Sequence, residues 1–252
     1  MAIQNSEFAG VRQTAVLAVF GMVLVLLSAA LSGETLDESD RRLQRAKIAL
    51  DAQPNDVERG WRLAEACFHR AEFARHNTER SKLAEQGIAA ARQVLRRNSN
   101  SVEARFYLAV NLGQLARTRT LTALGIVAEM ERQFLAAIAI NPKFRHAAPD
   151  RSLGMLYLEA PGWPTSVGSR SKARIHLQKA IEVDPSYPEN WLTLMEAEIK
   201  WGDRKKVQGR LTELGSVMEK AKSAWVADEG EQSWKALLDR VEKIRTQVVR
   251  SR

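Results

Sequence analysis

Helix-ending turns recur at nearly constant intervals along this chain, and their spacing constrains the fold more than any other feature. The turns are Gln53-Pro54-Asn55, Asn98-Ser99-Asn100, Asn141-Pro142-Lys143 and Asp184-Pro185-Ser186. Measured from Pro54 to Asn98, then to Pro142 and Pro185, they lie 44, 44 and 43 residues apart. Two segments with helical apolar periodicity lie between each turn and the next. Self-similarity at a fixed period predicts a stack of helical pairs.

The third unit carries the clearest signature of how its two helices pack. Its small and apolar positions are Leu153, Gly154 and Tyr157 in the first helix, then Ala173, Leu177, Ala180 and Pro185 in and after the second. Gly154 and Ala173 allow close approach of the helices, and Pro185 cannot continue the second helix. These residues and offsets resemble the tetratricopeptide consensus, whose repeat is roughly 34 residues.

The amino-acid composition is also typical of an all-α protein. Ala, Leu, Arg and Glu dominate the long segments, and these residues lose little side-chain freedom in a helix. We therefore expect a tetratricopeptide-like solenoid of about four elongated helix pairs. Flanking capping helices are predicted from Asp37 to Ala52 and from about Glu231 to Val249. The predicted domains are an N-terminal segment 1–33, the repeat domain 34–225 and a basic amphipathic C-terminal helix within 226–252.

An extra loop in the third unit holds the candidate binding residues. The stretch from Ala160 to Gly168 is too rich in Pro and Gly to be helical. Trp163 at its centre has two interpretations, of which we favour a side chain folded onto the repeat beneath it. Alternatively it anchors a ligand or a partner, because aromatic residues on loops are common binding hot spots. In the second case the site consists of Trp163 with Pro161, Arg170 and Lys172.

An uncharged apolar stretch from Gln13 to Gly33 separates the N-terminus from the repeats. It fits a signal peptide, with Ala30-Leu31-Ser32 as a small-residue cleavage site. It also fits a retained transmembrane helix, since it approaches the roughly 20 residues needed to span a bilayer. No cysteine follows it, which excludes a bacterial lipoprotein anchor. We expect the repeat domain to lie outside the cytoplasm, periplasmic or anchored to a membrane through this segment if it is not cleaved.

Charge and reactive residues argue against nucleic-acid binding and catalysis. The net charge is +8, but the bases are interspersed with acids, as helix surfaces normally show. The single cysteine, Cys67, lies in the apolar stripe of a predicted helix and is expected to be buried. His69 and His76 share a helix face without further ligands, so no metal site is predicted. No catalytic motif and no cofactor-binding motif occurs, and we expect a non-enzymatic protein.

A narrower resemblance rests on the elongated units and on the Ala-Pro-Gly-Trp-Pro loop that precedes Gly168-Ser169-Arg170-Ser171-Lys172-Ala173. These features resemble the T-component (TatT-like) proteins of tripartite ATP-independent periplasmic (TRAP) transporters. The segment from Ala104 to Pro142 is also similar to the elongated repeats of the regulators of microtubule dynamics. The first resemblance implies a periplasmic protein that binds a solute-binding or transporter subunit, or one that shelters a hydrophobic ligand.

Three functions remain open from the sequence. The leading one is a scaffold that presents a concave surface to a protein partner through shape and charge complementarity. The second is a carrier that holds a small hydrophobic ligand in a cavity between its helices. The third is a membrane-organising protein whose N-terminal helix and basic C-terminal helix both contact lipid.

Overall fold

The computed structural model describes residues 34–119 and 123–249, and within these ranges the chain is helical apart from short connections. The predicted signal or anchor segment 1–33 lies outside the described residues. The helices are α1 Leu36–Ala52, α2 Val57–Glu72, α3 Asn77–Arg97, α4 Val102–Ala116, α5 Ala123–Ile140, α6 Ala148–Glu159, α7 Arg170–Val183, α8 Pro188–Lys200 and α9 Arg204–Val249. The all-α prediction is confirmed.

The helices form four consecutive pairs preceded by the single helix α1. In each pair the two helices pack against each other, giving units α2/α3, α4/α5, α6/α7 and α8/α9. The second helix of each unit also contacts the first helix of the next, and α2 packs beside α4. We call α2, α4, α6 and α8 the first helices, and the surface they form together is the first-helix face.

Side-chain caps set where several of these helices begin. At α1, the hydroxyl of Thr35 accepts a hydrogen bond from the backbone N–H of Glu38, and the Glu38 carboxylate accepts one from the backbone N–H of Thr35. The side chains of Asp56, Ser101 and Ser169 accept equivalent bonds at the starts of α2, α4 and α7. Each cap satisfies a backbone donor that has no partner inside the helix, so it fixes the first turn.

Small residues bring the paired helices into contact. A Cβ atom on Gly154 would lie 2.7 Å from the side chain of Leu177 and 3.1 Å from its backbone nitrogen. Ala173 and Leu177 are fully buried on the facing helix. Gly60 occupies the same kind of position against Val94 in the first unit. The repeat signature of the sequence therefore marks the contact between the helices of a pair.

The apolar core is continuous along the stack. One cluster runs from Leu43 on α1 to Ala173 on α7, and a second fills the space between α8 and α9. A smaller group that includes Leu177 and Leu194 lies between them. Cys67 is buried in the first cluster as predicted, and burial raises the pKa of its thiol to about 12.

The C-terminal helix turns back at a single residue. Gly230 has a φ of 85°, a conformation that only glycine adopts readily, and it interrupts α9 between two helical parts. The indole of Trp225 donates a hydrogen bond to the Ser233 hydroxyl (3.0 Å) across this break. The change of direction lies within the C-terminal range 226–252, and the helix predicted from about Glu231 to Val249 is the second part of α9.

Arg240 fastens this last part to the first-helix face of the fourth unit. Its guanidinium donates to both carboxylate oxygens of Glu189 (2.8 and 2.7 Å) and of Glu196 (2.8 and 2.9 Å) on α8. Burial alone would lower the pKa of Arg240, but the two carboxylates raise it above its ordinary value. The C-terminal part of α9 thus covers the exposed side of α8.

A matched pair of glycine substitutions tests the packing within a unit. Gly154→Ala places a methyl group against Leu177, and we expect the free energy of unfolding to fall by about 1–3 kcal/mol. A Cβ on Gly125 of α5 meets nothing within 4 Å. Gly125→Ala should therefore raise the free energy of unfolding by about 0.5–1 kcal/mol. Chemical denaturation of both variants measures the difference, and equal effects would contradict the close-approach argument.

Removal of the Arg240 side chain tests the attachment of the C-terminal helix. Arg240→Ala leaves the buried Glu189 carboxylate unpaired, so we expect a loss of about 3–5 kcal/mol in the free energy of unfolding. Arg245→Ala is the control, because Arg245 is half-exposed and its salt bridge is to the exposed Glu242. Its loss should stay below about 1 kcal/mol. Similar stabilities of the two variants would show that Arg240 does not hold the helix.

Candidate functional site

The loop between α6 and α7 is closed by backbone hydrogen bonds. The N–H of Gly168 donates to the carbonyl of Pro161 (2.9 Å), and the N–H of Ser169 donates to the carbonyl of Tyr157 (2.9 Å). A Cβ atom on Gly168 would collide with the carbonyl oxygens of Ala160 and Pro161. Only glycine fits this close approach, so Gly168 allows the two sides of the loop to meet at its base.

Trp163 stands at the tip of this loop with 88% of its surface exposed. The favoured prediction, in which it folds onto the repeat beneath it, is wrong. Val167 takes that position instead and packs against the core. The hydrogen bonds at the base of the loop keep residue 163 on the outer side, where its indole contacts solvent.

The other predicted site residues lie in two different directions. Arg170 lies two residues beyond Gly168, at the base of the loop, and its guanidinium stacks on Trp201 at 5.4 Å from the ring centre. Lys172 faces away from it, over the ring of Tyr157 (5.0 Å) and 3.5 Å from Glu131. The structure therefore places Trp163, Pro161 and Arg170 at one edge of the third unit and Lys172 at the contact between the second and third units.

A stack of two arginines on one tryptophan extends this edge. Arg174 covers the Trp201 ring at 4.7 Å, beside Arg170. Both guanidinium groups share the Asp203 carboxylate, at 2.5 Å from Arg174 and 3.3 Å from Arg170. The hydrogen bond from Arg174 and the nearby positive charges of Arg174, Lys206 and Arg170 lower the pKa of Asp203. Sequence reasoning missed this arrangement, although the spacing of four residues between the arginines is a signal for a shared helix face.

A second polar cluster lies on the first-helix face and joins distant units. Arg145, His146 and Ala147 all have positive φ (44°, 57° and 61°), so three consecutive residues form a left-handed turn before α6. Arg145 pairs with Glu65 and stacks on Tyr107 (5.5 Å), both in earlier units. His146 stacks on Tyr187 (4.2 Å) and contacts Asp184 (2.7 Å), towards the fourth unit. A turn of this kind is strained for residues other than glycine, and these contacts hold it in place.

Burial perturbs the titratable groups of this cluster. His69 has its ring nitrogens 3.7 Å from Glu34 and 4.0 Å from Glu65. Burial, with the charges of Arg42 and Arg145, lowers the pKa of His69 to about 3, so the ring is neutral at physiological pH. Burial also raises the pKa of Glu34. His69 meets Phe68 edge-on on α2, whereas His76 directly precedes α3, so the two histidines do not share a helix face as predicted.

Neither a metal-binding cluster nor a bilayer-spanning helix occurs among the described residues. Among residues 34–119 and 123–249, no group of three or more His, Cys, Asp or Glu side chains is arranged to hold a metal ion. Over the same ranges, no helix has both the length and the apolar content that crossing a bilayer requires. The predicted absence of catalytic residues and cofactors stays a prediction.

A protein-family model matches part of the chain. The family model described as regulator of microtubule dynamics protein 1-3 matches residues 28–147, just under half of the chain. This region contains the segment whose elongated repeats resemble those regulators. No curated protein sequence matches the chain.

Solved structures of other proteins have a similar arrangement of helices over most of this chain. A thermophilic TPR protein from Thermus thermophilus is 18% identical, with a TM-score of 0.56, and the match covers 85% of this chain and 92% of that protein. A double mutant of MamA is 16% identical, with a TM-score of 0.52, over 74% of this chain and 89% of that one. These likenesses agree with the stacked helical arrangement described above. The chain has the fold of a tetratricopeptide-type helical-repeat protein.

Proposed function

We propose that this chain is a non-enzymatic scaffold that binds a protein partner at the edge of its third unit, with Trp163 as the anchor. The observation that carries the proposal is the 88% exposure of Trp163 on a loop whose backbone is closed by hydrogen bonds. Removal of a large apolar side chain from water makes the free energy of binding more favourable. Tryptophan is among the residues most enriched at binding hot spots.

The closed loop reduces the entropic cost of that binding. Because the backbone on either side of Trp163 is already fixed by the bonds at Pro161 and Tyr157, a partner does not have to order it. Preorganisation of this kind increases affinity without adding contacts. The loop is also additional to the tetratricopeptide consensus, and the packing of the two helices of the third unit does not require its tip.

Site-specific photo-cross-linking tests the proposed anchor. A photoreactive phenylalanine derivative replaces Trp163 in the full-length chain, expressed in the cells from which the protein comes. We expect one discrete adduct with a single protein, identified by mass spectrometry. The matched control places the same group at Ile48 of α1, an apolar residue that is also exposed (59%) but lies at the other end of the array.

The affinity for the identified partner then measures the contribution of the indole. Trp163→Ala should weaken binding by about 30-fold, which corresponds to about 2 kcal/mol for a hot-spot residue. Ile48→Ala should leave the affinity unchanged. The proposal fails if positions 163 and 48 give the same spread of adducts, or if Trp163→Ala binds as tightly as the parent chain.

We further propose that the scaffold works outside the cytoplasm or at a membrane, on the support of the apolar stretch from Gln13 to Gly33. Lys220→Cys introduces an exposed thiol on α9, whereas Cys67 is buried and unreactive. A membrane-impermeant maleimide should label the variant in intact cells and leave the parent chain unlabelled. Labelling that appears only after the inner membrane is opened would contradict this location. An adaptor role beside a transporter and a role as a hydrophobic-ligand carrier stay predictions from the sequence.

A further inference from the structure

Five basic residues lie on two segments that meet at Trp201 and Asp203, between the third and fourth units. We call them the basic surface; its members are Arg170 and Arg174 on α7, and Arg204, Lys205 and Lys206 at the start of α9. All are exposed apart from the half-buried Arg174. The two segments meet because Trp201 caps the C-terminal end of α8 and is followed at once by the connection into α9.

The carboxylates that pair with these bases do not balance their charge. Asp203 is shared by Arg170, Arg174 and Lys206, at 3.3, 2.5 and 3.7 Å. Glu198 lies 3.8 Å from Arg174, but it also forms a salt bridge with Arg210. This edge therefore keeps an excess of positive charge, and such an excess attracts an anionic partner.

Contacts with Trp201 and Asp203 orient both arginines in the absence of a partner. Trp201 carries Arg170 and Arg174 on its ring, and the Asp203 carboxylate fixes the same two side chains from one end. A guanidinium group held in this way has already lost much of its side-chain freedom. Its remaining N–H donors form a planar fork that matches a carboxylate.

The basic surface is continuous with the Trp163 loop. Gly162 pairs with Gly168 at the base of that loop, and Arg170 begins α7 directly after Ser169. The loop that carries the exposed indole therefore leads directly into the helix that carries the two guanidinium groups. The apolar anchor and the cationic surface lie on one edge of the molecule.

We propose that the basic surface binds an acidic segment of the protein partner, next to the residue that contacts Trp163. This inference rests on the proposed function and adds the chemistry of the partner to it. A guanidinium fork matches carboxylate and phosphate alike, so the choice between a protein and a lipid surface rests on the neighbouring loop. We choose an acidic protein segment because the basic surface directly follows the loop of Trp163, the proposed anchor for a protein partner. The complementarity is between guanidinium groups and carboxylates.

Binding of an acidic probe tests the inference on the purified full-length chain in mild detergent. The probe is a fluorescent octaglutamate peptide at low ionic strength, compared with octaglutamine. The basic-surface variant combines Arg170→Gln, Lys205→Gln and Lys206→Gln. The control variant combines Lys82→Gln, Lys179→Gln and Lys220→Gln, three exposed bases elsewhere that lower the net charge equally.

We expect octaglutamate to bind the parent and control chains similarly and the basic-surface variant about tenfold more weakly. Equal affinities for the two variants, or equal binding of octaglutamate and octaglutamine by the parent, would overturn the inference. Vesicles of phosphatidylcholine with and without phosphatidylserine are tested beside the peptides. Loss of vesicle binding in the basic-surface variant, with peptide binding unchanged, would assign this surface to a membrane and overturn the inference.

The cross-linked partner separates this inference from the proposed function. If Trp163→Ala loses that partner while the basic-surface variant keeps its full affinity, the scaffold role stands and the acidic-segment inference fails. If Trp163→Ala and the basic-surface variant bind the partner more weakly and the control variant does not, the scaffold role and the acidic-segment inference are both supported. If position 163 gives no adduct while octaglutamate still depends on the basic surface, the surface recognises acidic chains but the proposed anchor at Trp163 fails.

Discussion

Close contact between the two helices of each unit determines the arrangement of the rest of the molecule. Gly154 lets α6 approach α7 until Leu177 fills the space where a side chain would lie, and Gly60 does the same for α2 and α3. Because each helical pair is tight, its outer surfaces are regular enough to stack on the next pair. The apolar core therefore extends through successive units, and the loops are left free to differ at the edges.

Contacts between the two helices of one unit could be predicted from the sequence, whereas contacts between residues of different units could not. Pro185 and Gly154 indicate a helix end and a close approach, because their effects are local to the backbone. The pairing of His146 with Asp184 and the stacking of Arg145 on Tyr107 depend on a left-handed turn that no residue type in that segment indicates. Long-range partners of this kind become visible only once the units are stacked.

Trp163 illustrates the same limit at the candidate site. Its position in a Pro- and Gly-rich loop is compatible with a binding residue or a buried one, since an indole suits both. Two features of the loop decide between an exposed and a buried Trp163. Val167 packs against the core in its place, and the hydrogen bond from Gly168 to Pro161 closes the loop. Arg170 was identified from the sequence, but Arg174 was not, because the spacing of four residues between them indicates a shared helix face without indicating that Trp201 lies beneath both.

The first-helix face and the loop edge offer a partner different surfaces. At the fourth unit the C-terminal part of α9 already covers the first-helix face through Arg240, whereas Trp163 remains exposed at the edge.

Hydrogen–deuterium exchange of the full-length chain, with and without its cross-linked partner, distinguishes most directly between binding at the first-helix face and binding at the edge that carries Trp163. We predict slower exchange in residues 161–170 and 201–206 when the partner binds. Protection confined to α2 and α4, with those two segments unchanged, would contradict binding at the loop edge.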